Sequence, residues 1–113
     1  MKRIDAIIRK TVFDKVRNQL AAIGVEGMTV AEVMGFGRSR GATEYYRGCQ
    51  YVAEFQHNYH LTILARDEQV DAILDAIETT ARTGHTGDGR IFVSPLEEVV
   101  RIRTGESAVR TAV

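Results

Sequence analysis

The hydrophobic period of this chain switches from two to about 3.6 and back, and it does so twice in the same order. Residues 2–8 alternate, with Ile4, Ala6 and Ile8 on one side and Arg3, Asp5 and Ile7 on the other, which predicts a strand. Residues 12–22 repeat Val12, Phe13, Val16 and Leu20 at helical spacing, and Gly24 and Gly27 end that helix and turn the chain. Residues 28–34 read as a second strand. Tyr59 to Ala65 alternates again, Asp67 stands as an N-cap, and Val70, Ile73, Leu74 and Ile77 form a stripe at i, i+3, i+4, i+7. Ile91-Phe92-Val93 predicts a short strand stopped by Ser94-Pro95. Val99 to Arg103 predicts a last one, with Val100 and Ile102 on one face and Arg101 and Arg103 on the other.

Strand, helix, strand, twice over, is the split βαβ repeat. It predicts an α+β, ferredoxin-like fold: a double βαβ sandwich whose helices cover one face of an antiparallel sheet. A chain of 113 residues supports one domain, 1–113, with one core. The second face of the sheet also needs cover, and self-assembly is the simplest form of it.

Between the two halves, from Gly35 to about Asn58, the pattern stops. A loop this long in a compact domain is usually functional. It holds Tyr45, Tyr46 and Tyr51, three of the four tyrosines of the chain, together with Arg38, Arg40 and Arg47. Tyrosine and arginine are enriched where proteins grip partners, so the loop is read as partner-binding.

The segment from about 82 to 90 contains Thr83-Gly84-His85-Thr86-Gly87-Asp88-Gly89-Arg90. Glycines at 84, 87 and 89 exceed what a helix-to-strand connection needs, and they allow backbone N–H groups to approach an anion closely. Arg90 ends this loop, and Arg101 and Arg103 follow within a dozen or so residues. Guanidinium forks suit phosphate oxygens. Together the two segments predict the phosphate end of a nucleotide site.

Other features exclude more than they assign. Lys+Arg and Asp+Glu are 15 each, and the zero net charge argues against a general nucleic-acid binder. No apolar run is long enough for a membrane span, Asp5 and Arg9 interrupt any signal-like start, and Cys49 is the single cysteine; a cytoplasmic protein is expected. His57 and His60 lack a third ligand and are read as solvent-facing. No nucleophile motif or paired-carboxylate signature supports an enzyme, so a small phosphatase or ATPase ranks below a regulator. An RNA-binding sheet would need stacking aromatics on its central strands, and Tyr59 and Phe92 do not form that motif.

The sequence resembles the PII nitrogen-regulatory signalling proteins over nearly its whole length. The matches run from Met1-Lys2-Arg3-Ile4-Asp5-Ala6-Ile7-Ile8 through Gly35-Phe36-Gly37-Arg38, Tyr46-Arg47-Gly48 with Tyr51, Ala81-Arg82-Thr83-Gly84 and Gly87-Asp88-Gly89-Arg90-Ile91-Phe92-Val93 to Arg101-Ile102-Arg103-Thr104-Gly105-Glu106. The resemblance implies a homotrimer with ATP or ADP in each cleft between subunits. It places Ile7, Thr29 and Leu64 around the base and ribose, and Gly37, Arg38, Gly87, Asp88, Gly89, Arg90, Arg101 and Arg103 around the phosphates. The loop at about 37–55 matches the family's T-loop, which reports nucleotide state to partners such as an ammonium transporter, another transporter or a metabolic enzyme. Arg47 matches the residue that plugs transporter pores. Tyr51 matches a residue nucleotidylated in some bacterial members. Cys49 stands where some cyanobacterial members carry a phosphorylated serine. The segment 101–113 closes the domain.

Two departures stand out. Typical members have a glutamine where this chain has Ser39, and it completes the coordination of a Mg²⁺ ion that bridges ATP and 2-oxoglutarate. They have a lysine where it has Asn58, pairing with a 2-oxoglutarate carboxylate. The resemblance thus implies ATP or ADP binding, allows Mg²⁺ beside ATP, and predicts that 2-oxoglutarate sensing is weakened or lost. Arg90 keeps the charge of the family's usual lysine, and Arg9-Lys10 replaces the usual Lys-Pro pair.

Overall fold

The computed structural model describes residues 1–35, 44–46, 49–51 and 56–108, with 44–46 and 49–51 as backbone. The order is β1 (Lys2–Arg9), α1 (Phe13–Ala22), β2 (Thr29–Gly35), β3 (Glu44–Tyr46), β4 (Cys49–Tyr51), β5 (Gln56–Ala65), α2 (Val70–Ala81) and β6 (Arg90–Pro95). The main sheet runs β2-β5-β1-β6, with every neighbour antiparallel. The two βαβ halves interleave, so that β1 and β5 are central. This is the ferredoxin-like arrangement that the periodicity predicts.

The alternation in β1 is obeyed. Ile4, Ala6 and Ile8 are buried with Leu61, Ile63 and Ala65 of β5 against Val16 and Leu20 of α1 and Ile73, Ala76 and Ile77 of α2. Phe13 meets Tyr59 edge to face, with ring centroids 5.0 Å apart. Helix α1 ends as its sequence predicts. Gly24 takes a φ of +98°, and the Gly24 and Val25 N–H groups donate to the Ala21 and Leu20 carbonyls.

The face opposite the helices carries Arg3, Asp5, Ile7 and Arg9 of β1. Residues paired directly across antiparallel strands share a face, so Asn58, His60, Thr62 and Leu64 of β5 and Thr29 of β2 lie there too. Asp5 is buried. Arg3 Nε donates to its Oδ2 at 3.0 Å, His60 Nε2 lies 2.8 Å from its Oδ1, and Thr62 Oγ1 donates at 3.2 Å. Burial works to raise its pKa. The bonds from Arg3, His60 and Thr62 outweigh that and hold the carboxyl below its ordinary value. Leu64 and Phe92, each about half exposed, lie on this same face.

Four local readings are corrected. Val99–Arg103 is not a strand; Val100 makes one isolated bridge to Ser107, and the chain between them turns back. The Gly105 N–H donates to the Arg101 carbonyl at 2.7 Å, with Gly105 at a φ of +76°. A glycine able to enter the left-handed region makes a turn there easier than an extended run. Between Gly35 and Asn58, β2 runs to Gly35, β5 starts at Gln56, and β3 pairs with β4 as a small hairpin. Asp67 is not an N-cap. It opens a single 3₁₀ turn, where Gln69 Oε1 accepts the Arg66 N–H, and its own carboxylate pairs with the N-terminal amine at 3.2 Å. His60 is tied to Asp5, not turned to solvent. No helix among the described residues is long and apolar enough to cross a membrane.

Ile77 is wholly buried, whereas Ile23 is 37% exposed. Ile77→Ala is expected to destabilise the fold by about 2–5 kcal/mol, and Ile23→Ala by under about 1 kcal/mol, as read by urea denaturation.

Candidate functional site

The glycine loop begins where α2 stops, with the Arg82 N–H closing on the Glu78 carbonyl at 3.2 Å. Gly84, Gly87 and Gly89 all adopt positive φ, at 88°, 100° and 98°. Gly89 also makes a close approach: a Cβ there would stand 1.7 Å from the Ile7 carbonyl oxygen. The space a Cβ would take on Gly87 is bounded by Arg9 Nη2 at 3.0 Å and the Gln56 side-chain amide at 3.2 Å. The loop is thus pressed onto the end of the β-sheet. Only glycine fits at 89.

Asp88 organises the loop from within. Its carboxylate accepts the Thr83 N–H at 2.8 Å, the Gly84 N–H at 2.9 Å and the Thr83 hydroxyl, and Arg9 Nε donates to it at 3.0 Å. Arg9 Nη2 also donates to the Thr86 carbonyl at 2.6 Å. The Thr83 hydroxyl and N–H lower the Asp88 pKa most. Partial burial works against them, and Arg9 and the Gly84 N–H add to the lowering, so the carboxyl stays well below the usual range. An ionised Asp88 therefore spends its charge on its own loop. A cavity of about 270 Å³ opens beside it, lined by Ile7, Ile77, Ala81, Gly89 and Arg90 among others.

The structure brings Ile7, Gly87, Asp88, Gly89 and Arg90 together at one end of the sheet, since Ile7 pairs directly with Arg90. It separates them from Leu64 and Arg101. Ile7 stands opposite His60, and Leu64 lies four residues further along β5, about 13 Å away at strand rise. Leu64 and Arg101 line a second cavity of about 360 Å³ with Gly27, Arg66 and Gln69. Thr29, opposite Thr62, opens β2 on the same sheet face as Leu64. Arg103 is exposed on the turn after Arg101, not beside it on a strand. The described candidate residues of one chain therefore form two groups at separate places. Gly37, Arg38, Ser39 and Arg47 lie outside the described residues, and of Tyr51 and Cys49 only the backbone is described, in β4.

Asn58 is buried within β5, opposite Arg9 and Val33. Its side-chain nitrogen, in the orientation that satisfies it, donates to the Ile8 and His57 carbonyls at 3.3 and 3.2 Å. His57 and His60 fall on opposite faces of β5, and the described residues contain no cluster of metal-ligand type. Sequence reasoning left Arg9 without a role. The only signal was its place on the Arg3-Asp5-Ile7 face, and nothing local ties it to Asp88, 79 residues away.

Residues 1–106 match the family model described as Nitrogen regulatory protein P-II. The chain belongs to the P-II family. It is 53% identical over 106 residues to the nitrogen regulatory protein P-II of Microchaete diplosiphon, covering 94% of this chain and 95% of that one. It is 52% identical to the P-II protein of Pasteurella multocida and 50% identical to that of Synechocystis, with the same coverage. These names describe regulators, not enzymes. The P-II match spans both groups of candidate residues and both helices.

Gly89→Ala is expected to be far more disruptive than Gly84→Ala, because nothing lies within 4 Å of a Cβ at 84. The second variant carries only the left-handed penalty of about 1–2 kcal/mol; paired thermal melts compare them. Asp88→Asn tests the loop carboxylate. Its pKa is depressed by folding, so its stabilisation is complete above the unfolded value of about 3.9 and fades as pH falls toward the folded value. The gap in denaturation midpoint between wild type and variant should stay constant from about pH 7 to pH 5 and shrink only in stronger acid.

Proposed function

We propose that this P-II protein binds ATP or ADP in clefts between subunits of a homotrimer and regulates a partner protein through its long loop. The observation that carries this reading is the division of the candidate residues. The glycine-loop group (Ile7, Gly87, Gly89, Arg90) and the Leu64–Arg101 group stand about 13 Å apart along the strands. A second copy would supply one group where the first supplies the other. Contact between copies would also cover Leu64 and Phe92 on the face opposite the helices.

In this reading the amides of Gly87 and Gly89, with Gly37, Arg38 and Arg90, receive the phosphates, and Arg101 and Arg103 approach from the neighbouring copy. Asp88 holds the loop in shape. Ile7, Thr29 and Leu64 form the apolar sides for base and ribose. The difference in contacts between ATP and ADP shifts the long loop between conformations and so changes its hold on the partner, a transporter or metabolic enzyme. Arg47 and Tyr51 belong to that contact.

The second input of the family is weakened. Asn58 is neutral, and its donors are spent on two backbone carbonyls, so it offers no charge to a 2-oxoglutarate carboxylate. A charged partner missing from such a pair costs roughly 2–5 kcal/mol. Calorimetric titration with ATP and ADP, each with Mg²⁺ and with or without 2-oxoglutarate, tests both parts. Nucleotide binding that 2-oxoglutarate leaves unchanged is the expected result. Tight 2-oxoglutarate binding with Mg-ATP would make this an ordinary nitrogen-status sensor, and no nucleotide binding would overturn the reading.

A further inference from the structure

We propose that Arg9 is a positioning residue for polyphosphate, one that makes affinity depend on how many phosphates a nucleotide carries. The proposal rests on the nucleotide reading above. Arg9 ends β1, and its guanidinium reaches the two residues that flank Gly87. Nε donates to the Asp88 carboxylate and Nη2 to the Thr86 carbonyl. Nη2 also lies against Gly87, with the Gln56 amide beside it. One planar group thus fixes the loop on both sides of a glycine held at a φ of +100°.

The loop needs such a clamp. Three of its residues are left-handed glycines, whose backbones lose the most freedom when ordered. A loop ordered only when ligand arrives binds more weakly, because ordering opposes association. Arg9 orders it in advance. It does so from β1, the most enclosed strand of the sheet, and not from the loop itself. The guanidinium also neutralises Asp88, whose charge would otherwise repel an incoming phosphate. Arg9 and Asp88 are each about one quarter exposed, so the pair is neither sealed in the core nor free in solvent.

Geometry limits what this contact can influence. It acts on residues 83–88, whereas Ile7, Thr29 and Leu64, the nucleoside contacts of this reading, are held by the pairing of β1, β2 and β5. Loss of Arg9 should therefore weaken the grip on the phosphate chain and leave the nucleoside contacts alone. The planar fork also matters. A lysine keeps the charge but cannot donate in the same plane to a carboxylate and a carbonyl.

The test compares wild type, Arg9→Gln and Arg9→Lys by titration with ATP and ADP and by competition with AMP. Amide hydrogen exchange is followed at Thr83 and Gly84. For Arg9→Gln, affinity for ATP and ADP should fall roughly tenfold or more, the size of one charge-assisted contact, while AMP changes by less than about twofold. Exchange at Thr83 and Gly84 should quicken in the free protein. Arg9→Lys should recover part of both losses. Unchanged ATP affinity in Arg9→Gln would overturn the proposal. So would an equal loss for ATP, ADP and AMP, which would make Arg9 a support of the fold as a whole. If the wild-type protein binds none of the three, the nucleotide reading itself fails, and the exchange data then report only whether the clamp holds the loop.

Discussion

Strand β1 pairs with neighbours on both sides, so its register decides what every other element meets. Ile4, Ala6 and Ile8 enter the helix-covered core, and a slip of one residue would exchange them for Arg3, Asp5 and Ile7. The correct register sets more than the core. It seats Asp5 among Arg3, His60 and Thr62, brings the Ile7 carbonyl against Gly89, and leaves Arg9 within reach of Asp88. The same alternation that hides the apolar residues therefore builds the polar half of the molecule.

Both helices and the four strands of the main sheet were legible because burial imposes a period, and a period survives in the sequence. Val70, Ile73, Leu74 and Ile77 show it for α2, and Tyr59 to Ala65 for β5. Val99 to Arg103 also alternates, yet only Val100 finds a bridge, to Ser107. Alternation states what a strand could bury, not whether a neighbour is there to pair with it. The β3–β4 hairpin was missed for the opposite reason: three residues a side are too few to show a period. Asp67 has the chemistry of an N-cap, but the nearby N-terminal amine claims its carboxylate.

The candidate residues could be named from the sequence, but their arrangement could not. Three glycines and an arginine led to the expectation of an anion loop, and in the structure Gly84, Gly87 and Gly89 take left-handed conformations that glycine adopts most easily. The sequence could not tell that Asp88 turns its carboxylate onto Thr83 and Gly84, because an aspartate in a glycine loop reads equally as ligand or brace. It could not join Arg9 to that loop, since the contact spans 79 positions and exists only once β1 and α2 lie in one domain. Nor did it separate Leu64 and Arg101 from Ile7 and Arg90. That separation comes from strand direction and register, which no local motif carries.

Asp88 raises a physical difficulty for any loop that receives phosphate. A carboxylate beside an anion site repels the ligand, and the repulsion grows as water is excluded. The fold answers it by position rather than by removing the charge. Two backbone N–H groups, one hydroxyl and the Arg9 guanidinium converge on that single carboxylate. The amides of Thr83 and Gly84 are consumed in doing so. Asn58, two positions along β5 from Gln56, turns its donors onto the Ile8 and His57 carbonyls. Around the loop, then, the buried amide has nothing left to offer an anion and the carboxylate is neutralised from within. The guanidinium of Arg9 thus ties Thr86 and Asp88 to the end of β1, beside the close approach of Gly89 to the Ile7 carbonyl.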